Sequence, residues 1–179
     1  VESTHITLDL GQQPSYIVSA INAGDVHNAG PNSKLTLTDV YLAPQGNGAR
    51  VIARAELQAP VSGGDISYAS APPRLGRALE IATSRYQVNG QLRAVGSNET
   101  LARGESMVVV ESTMSSADAR EVTAGDQVRL AGRTVATVET VKRYATGNPD
   151  RTQVLVGATL QTVRTEGRER FGAVPVQQG

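Results

Sequence analysis

The sequence predicts a mainly β protein made of two copies of one β-unit, barrel-like or sandwich-like, each with one short helix. Three features carry that expectation. Val and Thr are abundant and favour pleated strands, and 18 glycines among 179 residues supply the turns between them. Apolar and polar residues alternate in runs such as His5-Ile6-Thr7-Leu8-Asp9-Leu10, the period-two pattern of a half-buried strand. The third feature is an internal repeat at an offset of 101 to 103 residues, as Gly24 to Gly125 and Val51 to Val154 illustrate.

The first copy opens with the strand His5 to Leu10, followed by a short helical stretch from Pro14 to Asn22 and the turn Ala23-Gly24-Asp25. The second opens with Met107-Val108-Val109-Val110. Its helix begins at Ser115-Ser116-Ala117-Asp118, where a serine and an acidic residue have capping-box spacing, and leads to Ala124-Gly125-Asp126. Leu37-Thr38-Asp39-Val40 then matches Val138-Glu139-Thr140-Val141, and Arg50 to Gln58 matches Gln153 to Gln161. Tyr68 aligns with Phe171 and Pro72 with Pro175. Matches this numerous, in one order and with so little drift, mark a duplication.

Each copy continues as a long hairpin. In the first it runs from Leu35 to Leu57 and reverses at Pro44-Gln45-Gly46-Asn47-Gly48. In the second, strands Val128 to Leu130 and Val135 to Arg143 flank Ala131-Gly132, and Thr152 to Arg164 follows Gly147-Asn148-Pro149-Asp150. These clusters have the residue chemistry that tight reversals require. Between the copies, Pro72 to Arg77 reads as a bend, Ala78 to Tyr86 and Val88 to Val95 as two strands, and Ser97 to Gly104 as a loop. The organisation expected is a first repeat over 1–76, a connecting hairpin and loop over 77–104, and a second repeat over 105–179. Residues 77 to 96 have no counterpart in the second copy.

Composition narrows the function. Seventeen basic residues balance seventeen acidic ones, so no net charge draws the chain to nucleic acid or an anionic membrane surface. The absence of cysteine removes disulfides, thiolate metal sites and cysteine nucleophiles together. With no Trp and one Phe, aliphatic residues have to fill the core. No apolar run approaches the 18 or so residues a spanning helix needs, and any membrane attachment is expected in a segment before Val1.

No residue pattern points to catalysis, to a cofactor or to a metal. His5 and His27, one on a strand and one in a loop, lack the spacing of a ligand pair. Glu99, Glu105 and Glu111 lie in a polar stretch and read as a solvated face, although paired carboxylates can do acid–base work. Ser62-Gly63-Gly64-Asp65 lacks the lysine and following helix of a phosphate loop. Gly125 to Val135 reads as a barrel corner in which Asp126 bonds the turn backbone. Asn98-Glu99-Thr100 fits the sequon for N-glycosylation.

Several stretches resemble an uncharacterised haloarchaeal family of membrane-anchored, β-rich proteins. They are Ile6 to Tyr16, the two Ala-Gly-Asp turns, Pro73 to Ile81, Arg85 to Gly90 and Gly132 to Glu139. The resemblance implies an N-terminal anchor helix with the β-rich part outside the cell, and it supplies no activity. This chain is neutral where haloarchaeal proteins are strongly acidic, and it shows no anchor helix.

The function expected is therefore non-catalytic. Long Val/Thr strands, a neutral surface and a second copy without closing strands suggest an extracellular structural protein. Its partner is expected to be another copy, as in a cell-surface filament or coat whose subunits complete each other by strand exchange, with Val1 to Leu10 as one possible donor. The alternative is a membrane-anchored module that binds a small ligand or protein, with Tyr16, Tyr41, Tyr68, Tyr86 and Tyr144 available to line a groove.

Overall fold

A computed structural model of the chain describes residues 1–165, 168–171 and 174–175. It is mainly β with two short helices, and its strands form two six-stranded sheets and one small hairpin. The chain divides into two compact units, Val1–Ala102 with Val163–Gly179, and Arg103–Thr162.

In the first unit, β1 (Glu2–Gln13) leads to the one-turn helix α1 (Ser15–Val18), then to β2 (Val26–Gly30), β3 (Ser33–Gln45) and β4 (Gly48–Ala59). A small hairpin, β5 (Val61–Ser62) and β6 (Asp65–Ile66), precedes the larger hairpin of β7 (Ala78–Ala82) and β8 (Gln87–Gly96). The sheet order is β2-β3-β4-β1-β8-β7, and all its pairings are antiparallel. The alternation that predicted β1 also sets its faces. Ile6, Leu8 and Leu10 are buried, and across the neighbouring strands Leu35, Leu37, Val51, Ala53, Ala55 and Leu57 join them in an aliphatic core. The helix expected over Pro14 to Asn22 shrinks to one turn, because Asn22 and Gly24 already begin the next reversal. Burial of Ile17 and Val18 holds it, since so short a helix cannot stand alone.

The sheet is nearly closed. His27 lies on β2 rather than in a loop, and its Nδ1 accepts from the Ala82 N–H on β7 at 3.1 Å. At the same seam, Arg85 Nη2 donates to Asp25 Oδ1 at 2.8 Å and Tyr86 Oη donates to Asp25 Oδ2 at 2.5 Å. The hairpin β7–β8 thus bridges the central strand β1 to the far edge at β2.

The second unit repeats the path. β9 (Arg103–Ser115) leads to α2 (Ser116–Glu121), β10 (Gln127–Leu130), β11 (Arg133–Ala145) and β12 (Arg151–Thr165), in the spatial order β10-β11-β12-β9. β9 starts at Arg103, so the expected inter-repeat loop ends earlier than its sequence suggested. Ser115 caps α2, its Oγ accepting from the Asp118 N–H at 3.1 Å. The Ala-Gly-Asp turns superpose bond for bond. Gly24 N–H donates to Leu37 O and Gly125 N–H to Val138 O, both at 2.7 Å. Both glycines sit at positive φ, 97° and 96°, where a side chain would be strained. β3 and β11 also bulge at matched positions, between Leu37 and Asp39 and between Val138 and Thr140.

The chain then returns to the first unit. β13 (Arg168–Phe171) and β14 (Val174–Pro175) repeat the first copy's minor turns, since Thr165 pairs Arg168 as Ser62 pairs Asp65, and Phe171 pairs Val174 as Tyr68 bridges Ala71. Val163 and Phe171 pack on Tyr41, Ala43, Ile52 and Leu101, a second apolar cluster of the first unit. Arg164 N–H donates to Ala102 O at 2.8 Å where the strands cross back. The compact units therefore do not follow the repeat boundaries at 76 and 104. Hairpin 77–96 belongs to the first unit, and so does the end of the second repeat.

Candidate functional site

The two copies differ most at one edge. In the first unit, β1 lies between β4 and β8, with Leu8 opposite Ala53 on one side and Leu92 on the other. Its counterpart β9 pairs with β12, and among the described residues nothing pairs with its other side. The N–H and C=O groups on that side are an open template for another strand.

The side chains tell the same story. Val110 on β9 is 53% exposed where its counterpart Leu8 on β1 is fully buried, and Met107 and Val109, which stand for His5 and Thr7 on the other face of the strand, are 73 and 71% exposed. In the second unit the buried apolar residues are small ones, Ala119, Val135, Ala136, Val154 and Ala158. Four strands of the second sheet over so thin a core leave apolar area that a further layer or strand would cover. Val128 on β10 and Tyr144 on β11 add to the exposed surface.

Two polar cross-strand pairs hold β9 in register without covering it. Gln161 Nε2 donates to Glu105 Oε1 at 3.2 Å, and Gln153 Nε2 donates to Glu111 Oε1. The second occupies the place of the first unit's ion pair between Arg50 and Asp9. Glu111 and Gln153 also line a shallow depression of about 310 Å³ with Tyr144 and Leu155. The glutamates are engaged by amides, and Glu99 lies in the loop ahead of β9 with its carbonyl accepting from Thr38 Oγ1 at 2.6 Å.

The Asp126 turn is also open. Its carboxylate accepts from Thr123 N–H at 2.9 Å and Thr123 Oγ1 at 3.0 Å, and these bonds hold its pKa below the usual carboxylate value. The matching Asp25 is clasped by Arg85 and Tyr86. In turn the Tyr86 phenol is pushed well above its ordinary pKa, by burial first and by the Asp25 carboxylate second.

Other candidate residues are placed apart from this edge. His5 lies on β1 and His27 on β2, and among the described residues no group of three His, Cys, Asp or Glu side chains could hold a metal. Ser62-Gly63-Gly64-Asp65 is the β5–β6 reversal. Of the five tyrosines, Tyr41, Tyr68 and Tyr86 are buried within the first unit, while Tyr16 and Tyr144 are exposed. Val1 to Leu10 is mostly an inner strand of the nearly closed sheet, paired on both sides, so donating it to a neighbour would dismantle the first unit. Asn98 is exposed, and its carbonyl accepts from Arg54 Nε at 2.7 Å. No helix among the described residues is long and apolar enough to cross a membrane.

Sequence reasoning expected the second copy to have no counterpart of residues 77–96, and among the described residues β9 pairs with β12 alone. It missed that the deficit falls on β9, although the run Met107-Val108-Val109-Val110, apolar on both faces, was a visible signal. No family model, curated protein or solved structure matches this chain.

Proposed function

We propose that this chain is a non-catalytic structural protein of the cell surface whose second unit is completed by a strand from another subunit, as in a filament or coat. One observation supports this most strongly: β9 repeats β1 but among the described residues pairs on one side only, with Met107, Val109 and Val110 exposed. A long, apolar, unpaired edge is what natural monomers avoid and what strand-adding assemblies use. The extracellular location rests on the resemblance to anchored β-rich proteins.

Size-exclusion chromatography with light scattering, joined to negative-stain imaging, tests this reading. Oligomers or filaments are expected for the native sequence. Val109→Lys, placed on a side chain 71% exposed, should leave the fold intact and return the protein to a monomer. A chain that stays monomeric at every concentration would refute the proposal and leave a binding module for a different protein or ligand in its place.

A further inference from the structure

The repeat shows what kind of element fits the open side of the second unit. In the first unit that side is filled by β7–β8, and three contacts seat it. β8 adds antiparallel to β1 from His5↔Gly96 to Asp9↔Gln91. Leu79, Ile81, Val88 and Leu92 turn inward onto the core and are at most 4% exposed. The reversal, residues 83–86, reaches across to the Ala-Gly-Asp turn, where Arg85 and Tyr86 bind the two oxygens of Asp25. Thr83 holds that reversal in shape, its N–H donating to Tyr86 O at 2.9 Å and its Oγ1 accepting from Arg85 N–H.

Every acceptor group has its counterpart in the second unit, and there each is more exposed than in the first. Val108 and Val110 stand for Ile6 and Leu8, with Val108 half-buried and Val110 53% exposed. Val128 stands for His27 and is 48% exposed. Asp126 stands for Asp25, is held by the same main-chain bonds, and faces solvent instead of an arginine and a tyrosine. A lone strand would cover β9 but leave this carboxylate and Val128 untouched. A hairpin covers all three.

Resting on the reading that another chain completes this unit, we infer that the completing element is a β-hairpin of the β7–β8 kind. One of its strands adds antiparallel to β9. Its inward face is aliphatic, and its reversal presents a basic and a phenolic side chain to the Asp126 carboxylate. Charge complementarity at Asp126 makes the choice of element specific, because a hairpin with an acidic reversal would be repelled there.

A synthetic, fluorescently labelled peptide spanning residues 77–96 tests this with the full chain. Saturable binding by anisotropy is expected, with hydrogen-exchange protection appearing at residues 105–111. The Asp126→Asn chain should bind roughly tenfold more weakly, as removal of a charge-assisted contact does. Arg85→Gln in the peptide alone should give a similar loss, and that arm does not depend on the fold of any chain variant. Absence of binding, protection at β1 instead of β9, or an affinity indifferent to both changes would overturn the inference. Self-association through β9 without hairpin capture would leave the assembly reading standing and refute this one. Capture by a strictly monomeric chain would do the reverse.

Discussion

The phenol of Tyr86 donates to the Asp25 carboxylate at 2.5 Å and so ties the β7–β8 reversal to the turn that opens β2. Asp25 is 9% exposed and also receives Arg85, so the hydrogen bond is shielded from water on one side. Tyr86→Phe removes a bond to a charged acceptor and should lower stability by about 1.5–2 kcal/mol. A denaturant series would read this as a shifted midpoint with an unchanged slope.

The same contact makes a pH prediction. The folded-state pKa of Tyr86 is raised, so the stability it contributes is fully present below the unfolded tyrosine value of about 10. It falls away as pH rises from there toward the folded pKa. Stability measured from pH 8 upward should decline earlier in the native chain than in Tyr86→Phe. Asp126 runs the other way. Its folded pKa is lowered, so its contribution is present above the ordinary aspartate value and is lost as pH falls through the folded pKa. Amide exchange at Thr123 would report that loss at acid pH.

Matched truncations in the two copies should not cost the same. Leu8 is fully buried between strands, and Leu8→Ala should cost about 3 kcal/mol. Val110 occupies the matching place at 53% exposure, and Val110→Ala should cost less than about 1 kcal/mol in the dilute monomer. Equal losses would mean that β9 is already covered.

Val163 is 1% exposed and packs with Phe171 on the first unit's outer cluster. Val163→Ala should therefore destabilise the first unit, by about 1–2 kcal/mol, even though Val163 belongs to the second repeat. Protection of the β3 and β4 amides near Tyr41 and Ile52 would locate the effect.

Gly48 leaves no room for a side chain, because an added Cβ would overlap the Gln13 carbonyl backbone. The obstacle is main chain rather than a flexible tip, so Gly48→Ala should force β1 and the β3–β4 reversal apart. The expected loss is about 1–3 kcal/mol.

The architecture was legible where local chemistry decides it. The Ala-Gly-Asp turns could be read because Gly24 and Gly125 need positive φ and the following aspartates bond their own turns. Long-range choices left little trace. Nothing local marks Arg54 for burial, yet it is 6% exposed, donates to Thr7 Oγ1 at 2.7 Å and has its pKa lowered by that burial. The repeat aligns it with Gly157, which packs against Thr140 instead. His27 read as a loop residue because β2 is a short strand whose exposure alternates around small and polar residues. The return of Val163 and Phe171 to the first unit depends on a cluster drawn from β3, β4, the loop at Leu101, β12 and β13, a pattern invisible to any short window. The open edge at β9 followed from the repeat only once the partners of β1 were known.

Amide hydrogen exchange on β9 across a dilution series tests the central claim most directly. The β1 amides of Ile6 and Leu8 should be protected at every concentration, since β1 is paired on both sides. The β9 amides between Glu105 and Glu111 that face away from β12 should exchange freely in the dilute chain and gain protection as concentration rises. Protection of those amides in the dilute monomer, or its absence at the highest concentration, would contradict the account.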